Sequence, residues 1–114
     1  MSLRGKGEQG FLICEPYKSE IAPHWRFKTP GIAKRSARAI YKMFIAYLDD
    51  DDFVGADMAR KFFQMGYTRA RRHANYKGGR EKAESAAIFY EYWKKAESEK
   101  RYAAQKRAWK GSIG

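Results

Sequence analysis

Residues 29–65 read TPGIAKRSARAIYKMFIAYLDDDDFVGADMARKFFQM, and two helices can be read from this stretch before anything else is known of the chain. Thr29 is a good N-cap and Pro30 suits the first helical position, where its missing N–H costs nothing. Ala33, Ala37, Ile40, Tyr41, Phe44, Ile45 and Leu48 then recur at helical spacing, with Lys34, Arg35, Arg38 and Lys42 on the opposite face. The acidic run Asp49–Asp52 ends this helix and supplies an N-cap for the next. There Val54, Met58, Phe62 and Met65 form one stripe, flanked by Phe53, Ala56, Ala59 and Phe63.

Downstream, Gly66 reads as a C-terminal stop, Thr68 as the cap of a short third helix reaching Arg72 or Ala74, and Gly78–Gly79 as a break. Glu81 to Trp109 is helix-compatible throughout. Ala86, Phe89, Tyr90, Trp93 and Ala96 predict its buried face, and the basic tail KRYAAQKRAWK is expected to project or fray. Upstream, residues 5–30 are irregular. FLICE is a short apolar run of strand type, and HWRF after Pro23 reads as a second strand. The expected fold is therefore α+β and mainly helical: a short N-terminal strand pair packed on three or four helices, with Phe44, Ile45, Phe62, Phe63, Phe89 and Trp93 in the core. Residues 5–110 are expected to form a single domain, with Met1–Leu3 as a leader outside it.

At 114 residues the chain is long enough for one modest core and too short for two. Its hydrophobic content of 44%, with 16% aromatic, is that of a folded chain, so the net charge of +11 must be displayed on a surface. The single cysteine, Cys14, excludes an intramolecular disulfide and a thiolate zinc cluster together, and a buried, inert thiol in a reducing, cytoplasmic setting is expected. No apolar run approaches the roughly 20 residues that span a bilayer. Two histidines without a third ligand do not make a zinc site, and the DDDD run lacks the alternating oxygens and central glycine of a calcium loop. No metal or cofactor is expected.

The charge is concentrated. Met58 to Arg80 contains no acid, and between residues 60 and 82 eight cations face Glu81 alone, a local charge of +7. If Thr68 caps a helix, Arg69, Arg71 and Arg72 occupy its first turn, where free N–H groups and guanidinium forks together form a phosphate-binding geometry. Gly78 and Gly79, between Lys77 and Arg80, would let backbone approach a phosphate closely. Arg69, Arg71, Arg72, Lys77 and Arg80, with Tyr76 as a stacking residue, are the candidate nucleic-acid contacts. Tyr67 and Trp109 are further stacking candidates. The structural alternative is that these arginines pair with Asp49–Asp52 and Asp57 inside the fold.

Candidates for chemistry are few. Glu15 and His24 are the main acid or base candidates, with Glu20 and His73 beside them. Glu15 is expected at the end of a short strand. Three function classes follow: a nucleic-acid-binding accessory protein, a small enzyme acting on nucleic acid or nucleotide, and a protein-interaction module for an acidic partner or a second copy of the chain.

The strings GEQGFLICEPYKSEIAPHWRFKTP and DDDFVGADMARKFFQMGYTRARRHANYKGGR, together with the helix AESAAIFYEYWKKA, resemble a small family of bacteria and their tailed phages, a domain of unknown function (DUF4385). The resemblance implies a location in a bacterial or phage-infected cell, and no catalytic residues. One departure stands out. The family pattern carries a longer polar, acidic insertion between KGGR and the last helix, whereas here Glu81 follows at once, so the acid that would offset the basic cluster is not in this sequence.

Overall fold

A computed structural model describes residues 15–74 and 79–113. The elements in chain order are α1 (Tyr17–Ile21), a single 3-10 turn (Ala22–His24), α2 (Pro30–Asp49), α3 (Phe53–His73), α4 (Gly79–Glu97) and α5 (Lys100–Ile113). Among the described residues there is no strand, so the expected α+β class with a strand pair is corrected to all-α. FLIC lies outside the described residues. The HWRF segment has a tertiary reason to be irregular: Trp25 donates its indole N–H to the Phe62 carbonyl at 3.0 Å, and the Ser36 hydroxyl bridges the His24 carbonyl and the Arg26 N–H. Its polar groups are satisfied by helices rather than by a sheet ladder.

The expected caps are present. Thr29 Oγ1 accepts from the Ile32 N–H at 3.2 Å, and Asp52 Oδ1 accepts from the Gly55 N–H at 3.0 Å. Between them the Asp51 N–H reaches the Leu48 carbonyl and the Asp52 N–H the Tyr47 carbonyl, which closes α2 in a Schellman motif with Asp51 at φ 59°. Such a sharp reversal makes α2 and α3 antiparallel neighbours, and α4 packs against both. Phe44, Phe62, Phe63 and Phe89 are buried between them, as expected; Ile45 and Trp93 are half-buried at the edge.

Two glycine and threonine readings are corrected. Gly66 does not stop a helix, and Thr68 does not cap one: α3 runs unbroken from Phe53 to His73, and the Thr68 hydroxyl donates back to the Gln64 carbonyl at 3.0 Å. Gly66 is there for packing. A Cβ at this position would stand 2.9 Å from Phe89 Cγ.

The basic tail is also corrected. After α4 the chain turns at Ser98–Glu99, and Glu99 Oε1 accepts the Arg101 N–H to start α5. Tyr102 is then buried against Phe44 and Phe53, Arg101 meets Asp49 at 2.5 Å, and Gln105 donates to the Leu48 carbonyl. α5 therefore folds back onto the α2–α3 corner.

Three phenol–carboxylate bonds hold remote parts of the chain together: Tyr17 to Asp52, Tyr47 to Glu20 and Tyr102 to Asp57. Burial, and then the carboxylate partner, push the Tyr47 and Tyr102 phenols well above their ordinary range; burial raises Tyr41. In the unfolded chain these phenols lose their protons near pH 10, whereas in the folded one they keep them to higher pH. The native state then holds more protons, so this contribution is intact below about pH 10 and is lost as pH rises beyond it. Thermal stability is expected to be level up to about pH 9 and to fall above about pH 10, with part of the tyrosinate absorbance appearing only as helicity is lost. If all eight tyrosines titrate near pH 10 with the helical signal unchanged, the phenol network is not holding the fold.

Candidate functional site

Because α2, α3 and α4 alternate in direction, the segment before α2, the C-terminus of α3 and the N-terminus of α4 share one end of the bundle. Contacts across this end are direct: Lys82 Nζ donates to the Lys28 carbonyl at 2.9 Å, the Phe27 ring lies 6.5 Å from His73 and 6.0 Å from Phe89, and the Arg69 guanidinium lies over Trp25 at 5.3 Å. Arg69, Arg71, Arg72 and Arg80 are all exposed here. Arg69 and Arg72, three residues apart, line a small depression with Met65 and Thr68. Arg71 turns towards α4, where it borders a groove with Tyr67, Ala83, Ala87, Tyr90 and Glu91.

Asp49 and Asp57 are engaged elsewhere. Asp49 pairs with Arg101, and Asp57 pairs with Arg60 at 2.8 Å and lies 3.9 Å from Lys61. None of Arg69, Arg71, Arg72 and Arg80 forms an ion pair with a described carboxylate. No described carboxylate therefore competes with an external anion for the four guanidinium groups, although the face of Arg69 rests on Trp25.

The helix end they occupy is opposite to the expected one. With α3 unbroken, Arg71 and Arg72 sit in its last turn and Arg69 just before it, at the end where cations complement the macrodipole by about 0.3–1 kcal/mol each. No N–H cradle exists at Thr68. An anion would be held by side-chain forks, with Arg80 in the first turn of α4 on the other side. Lys77 and Tyr76 lie outside the described residues.

The candidates for chemistry are not brought together. Glu15, in the turn before α1, accepts from the Ser19 hydroxyl at 2.7 Å and the Ser19 N–H at 3.1 Å, and these bonds hold its carboxyl below its ordinary range. That is the behaviour of a helix cap rather than of a proton donor. His24 is exposed in the 3-10 turn, Glu20 accepts the Tyr47 hydroxyl, and His73 lies near Phe27. No hydrogen bond or ion pair among the described residues links Glu15 or His24 to the arginines. Among them no group of three His, Cys, Asp or Glu side chains is placed to hold a metal ion.

Two residues of the groove, Tyr90 and Glu91, were not among the candidates. Tyr90 was expected in the buried face of α4, yet its side chain is 43% exposed. Ala86, Phe89, Trp93 and Ala96 set the inward stripe, and Tyr90 falls one position off it, on the flank that faces Tyr67. Trp109 is exposed as well, and its ring lies 5.9 Å from Phe53 at the opposite end of the bundle.

No described helix is long and apolar enough to cross a membrane. No curated protein and no solved structure matches this chain. A sequence family described as a domain of unknown function (DUF4385) matches residues 3–81, which takes in α1 to α3 and the arginine cluster and leaves most of α4 and α5 outside. With well over half of its length matched, the chain belongs to the DUF4385 family.

Proposed function

We propose that this protein is a nucleic-acid-binding accessory protein that grips the phosphate backbone through Arg69, Arg71, Arg72 and Arg80. The observation that supports this reading is the presence of four exposed guanidinium groups at one end of the bundle, without ion-pair partners among the described residues, while Asp49 and Asp57 pair with other cations at the far end of α3. Cations left unpaired and clustered repel one another, and a polyanion relieves that repulsion by displacing its own counterions.

Fluorescence anisotropy with labelled single-stranded DNA, duplex DNA and RNA over a salt series tests the reading. The affinity should fall steeply with salt, by a log–log slope of roughly 0.7–0.9 per neutralised phosphate. Changing Arg69, Arg71 and Arg72 together to alanine should reduce that slope by about 2–3 while leaving the helical signal in place. Binding that is indifferent to the triple change would remove the cluster from the interface, and a complex with an acidic protein would then become the better account.

A further inference from the structure

The groove between α3 and α4 has a different character from the arginine cluster it adjoins, and the difference defines what it can hold. It is a shallow, open groove with a volume of about 420 Å3. Its floor is the small side chains of Ala83 and Ala87, one turn apart on α4, and along one side Tyr67 from α3 and Tyr90 from α4, whose ring centroids are 5.2 Å apart, pack on each other to form a single aromatic surface. Trp93 backs both rings, 5.9 Å from Tyr67 and 5.8 Å from Tyr90, while Lys94 Nζ lies 4.4 Å from the Trp93 ring and 5.5 Å from that of Tyr90. Lys94 is C-terminal to Tyr90, so the alanine-lined side of the groove is left open.

Charge enters at one end. Arg71 is one turn beyond Tyr67, a displacement of about 6 Å along the α3 axis. That separation is comparable to the reach from base to phosphate within one nucleotide. Arg80 lies on the same α4 stripe as Ala83 and Ala87, so the basic end continues past the floor. Glu91 stands on the far lip. Its carboxylate repels phosphate and accepts hydrogen bonds from base amino or imino groups, which orients a nucleotide with its backbone towards Arg71.

Resting on the nucleic-acid reading above, we infer that this groove receives an unpaired nucleotide of a single strand, its base against Tyr67 and Tyr90 and its phosphate on Arg71. A duplex offers phosphates but no free base faces, and would use Arg71 while leaving the aromatic surface empty. Stacking tolerates any base, so the site favours single strands over duplexes without fixing a sequence.

The test uses the full chain and a short single-stranded oligothymidylate carrying one 5-iododeoxyuridine, with the matching duplex as control. Irradiation should crosslink the single strand to the tryptic peptide from Ala83 to Lys94 or to the one from Phe62 to Arg69, at Tyr90 or Tyr67. Tyr90→Ala, at an exposed position that the fold tolerates, should weaken single-strand binding by about 5- to 150-fold and leave duplex binding unchanged; Tyr90→Phe should retain the parent affinity. A crosslink mapped elsewhere, or an equal effect of Tyr90→Ala on both forms or on neither, would overturn the groove assignment while leaving the phosphate contacts standing. If the parent binds neither form, the nucleic-acid reading itself fails.

Discussion

Phe89→Ala is expected to destabilise the protein by about 3–5 kcal/mol, which is a large part of the 5–15 kcal/mol typical of a whole domain. Phe89 has no exposed surface and forms an edge-to-face contact with Phe27 at 6.0 Å. Its ring also covers Gly66, and an added Cβ there would stand 2.9–3.0 Å from three ring carbons. Removing the ring therefore empties a space between α3 and α4 that the backbone cannot close, because Phe63 and the α2 side chains fix the separation of the helices. The reciprocal change, Gly66→Ala, gains about 1 kcal/mol of helix propensity but loses about 1–3 kcal/mol to overpacking against a ring with nowhere to move. Urea denaturation of both variants measures the two effects. A loss below about 1 kcal/mol for Phe89→Ala would mean that the helices collapse onto the cavity, and Gly66 would then not mark a tight contact.

The second large effect is expected at Asp57, which joins α3 to α5. Its Oδ1 accepts from Arg60 Nε and from the Tyr102 hydroxyl, each at 2.8 Å. The side chains of Arg60 and Asp57 are only 13% and 19% exposed. Burial acts to lower the Arg60 pKa, but the hydrogen bond and charge of Asp57 outweigh it and hold the guanidinium firmly protonated. Asp57→Ala leaves that cation in a poorly hydrated place, with Gln64 at 2.9 Å and Glu97 at 3.7 Å as its remaining partners, and leaves a buried phenol without an acceptor. A loss of about 3 kcal/mol is expected, at the lower end for a broken buried pair because Glu97 and Gln64 stay in place. Asp57→Asn, which keeps an acceptor, should lose less. Since Tyr102 anchors α5, limited trypsin digestion of Asp57→Ala should cut at Arg101, Lys106 and Arg107 before the α2–α4 bundle is attacked. Simultaneous loss of all regions would show that α5 and the bundle unfold as one unit, and the role given to Asp57 as a local tie would be wrong.

The arginine cluster shows how the same residues can be exposed together on a local geometry opposite to the expected one. Arg69, Arg71 and Arg72 share the exposed end of α3 with Arg80 close by in α4, but the helix N-terminus that made them attractive as an anion cradle is in fact a C-terminus. Gly66 and Thr68 carry the usual signals of an end and a start. Those signals were overridden by a contact 23 positions away, where Phe89 needs a residue without a side chain opposite it. Tyr90 was missed for a related reason: hydrophobic type alone placed it inward, and only the crossing of α3 and α4 turns that flank into a groove wall.

What the sequence determined by itself was whatever is written within one or two helical turns. Thr29 and Asp52 announce their helices because a cap needs a hydroxyl or carboxylate three residues from the N–H it satisfies, and Phe44, Phe62, Phe63 and Phe89 announce the core because helical periodicity puts them on one face. Tertiary structure alone decided that the HWRF segment is irregular chain held by Phe62 and Ser36 rather than a strand, the continuity of α3 through Gly66, and the return of α5 through a bond between residues 45 positions apart. Each of these depends on what a side chain meets across the bundle, and a pattern that repeats every 3.6 residues carries no record of the surface opposite it.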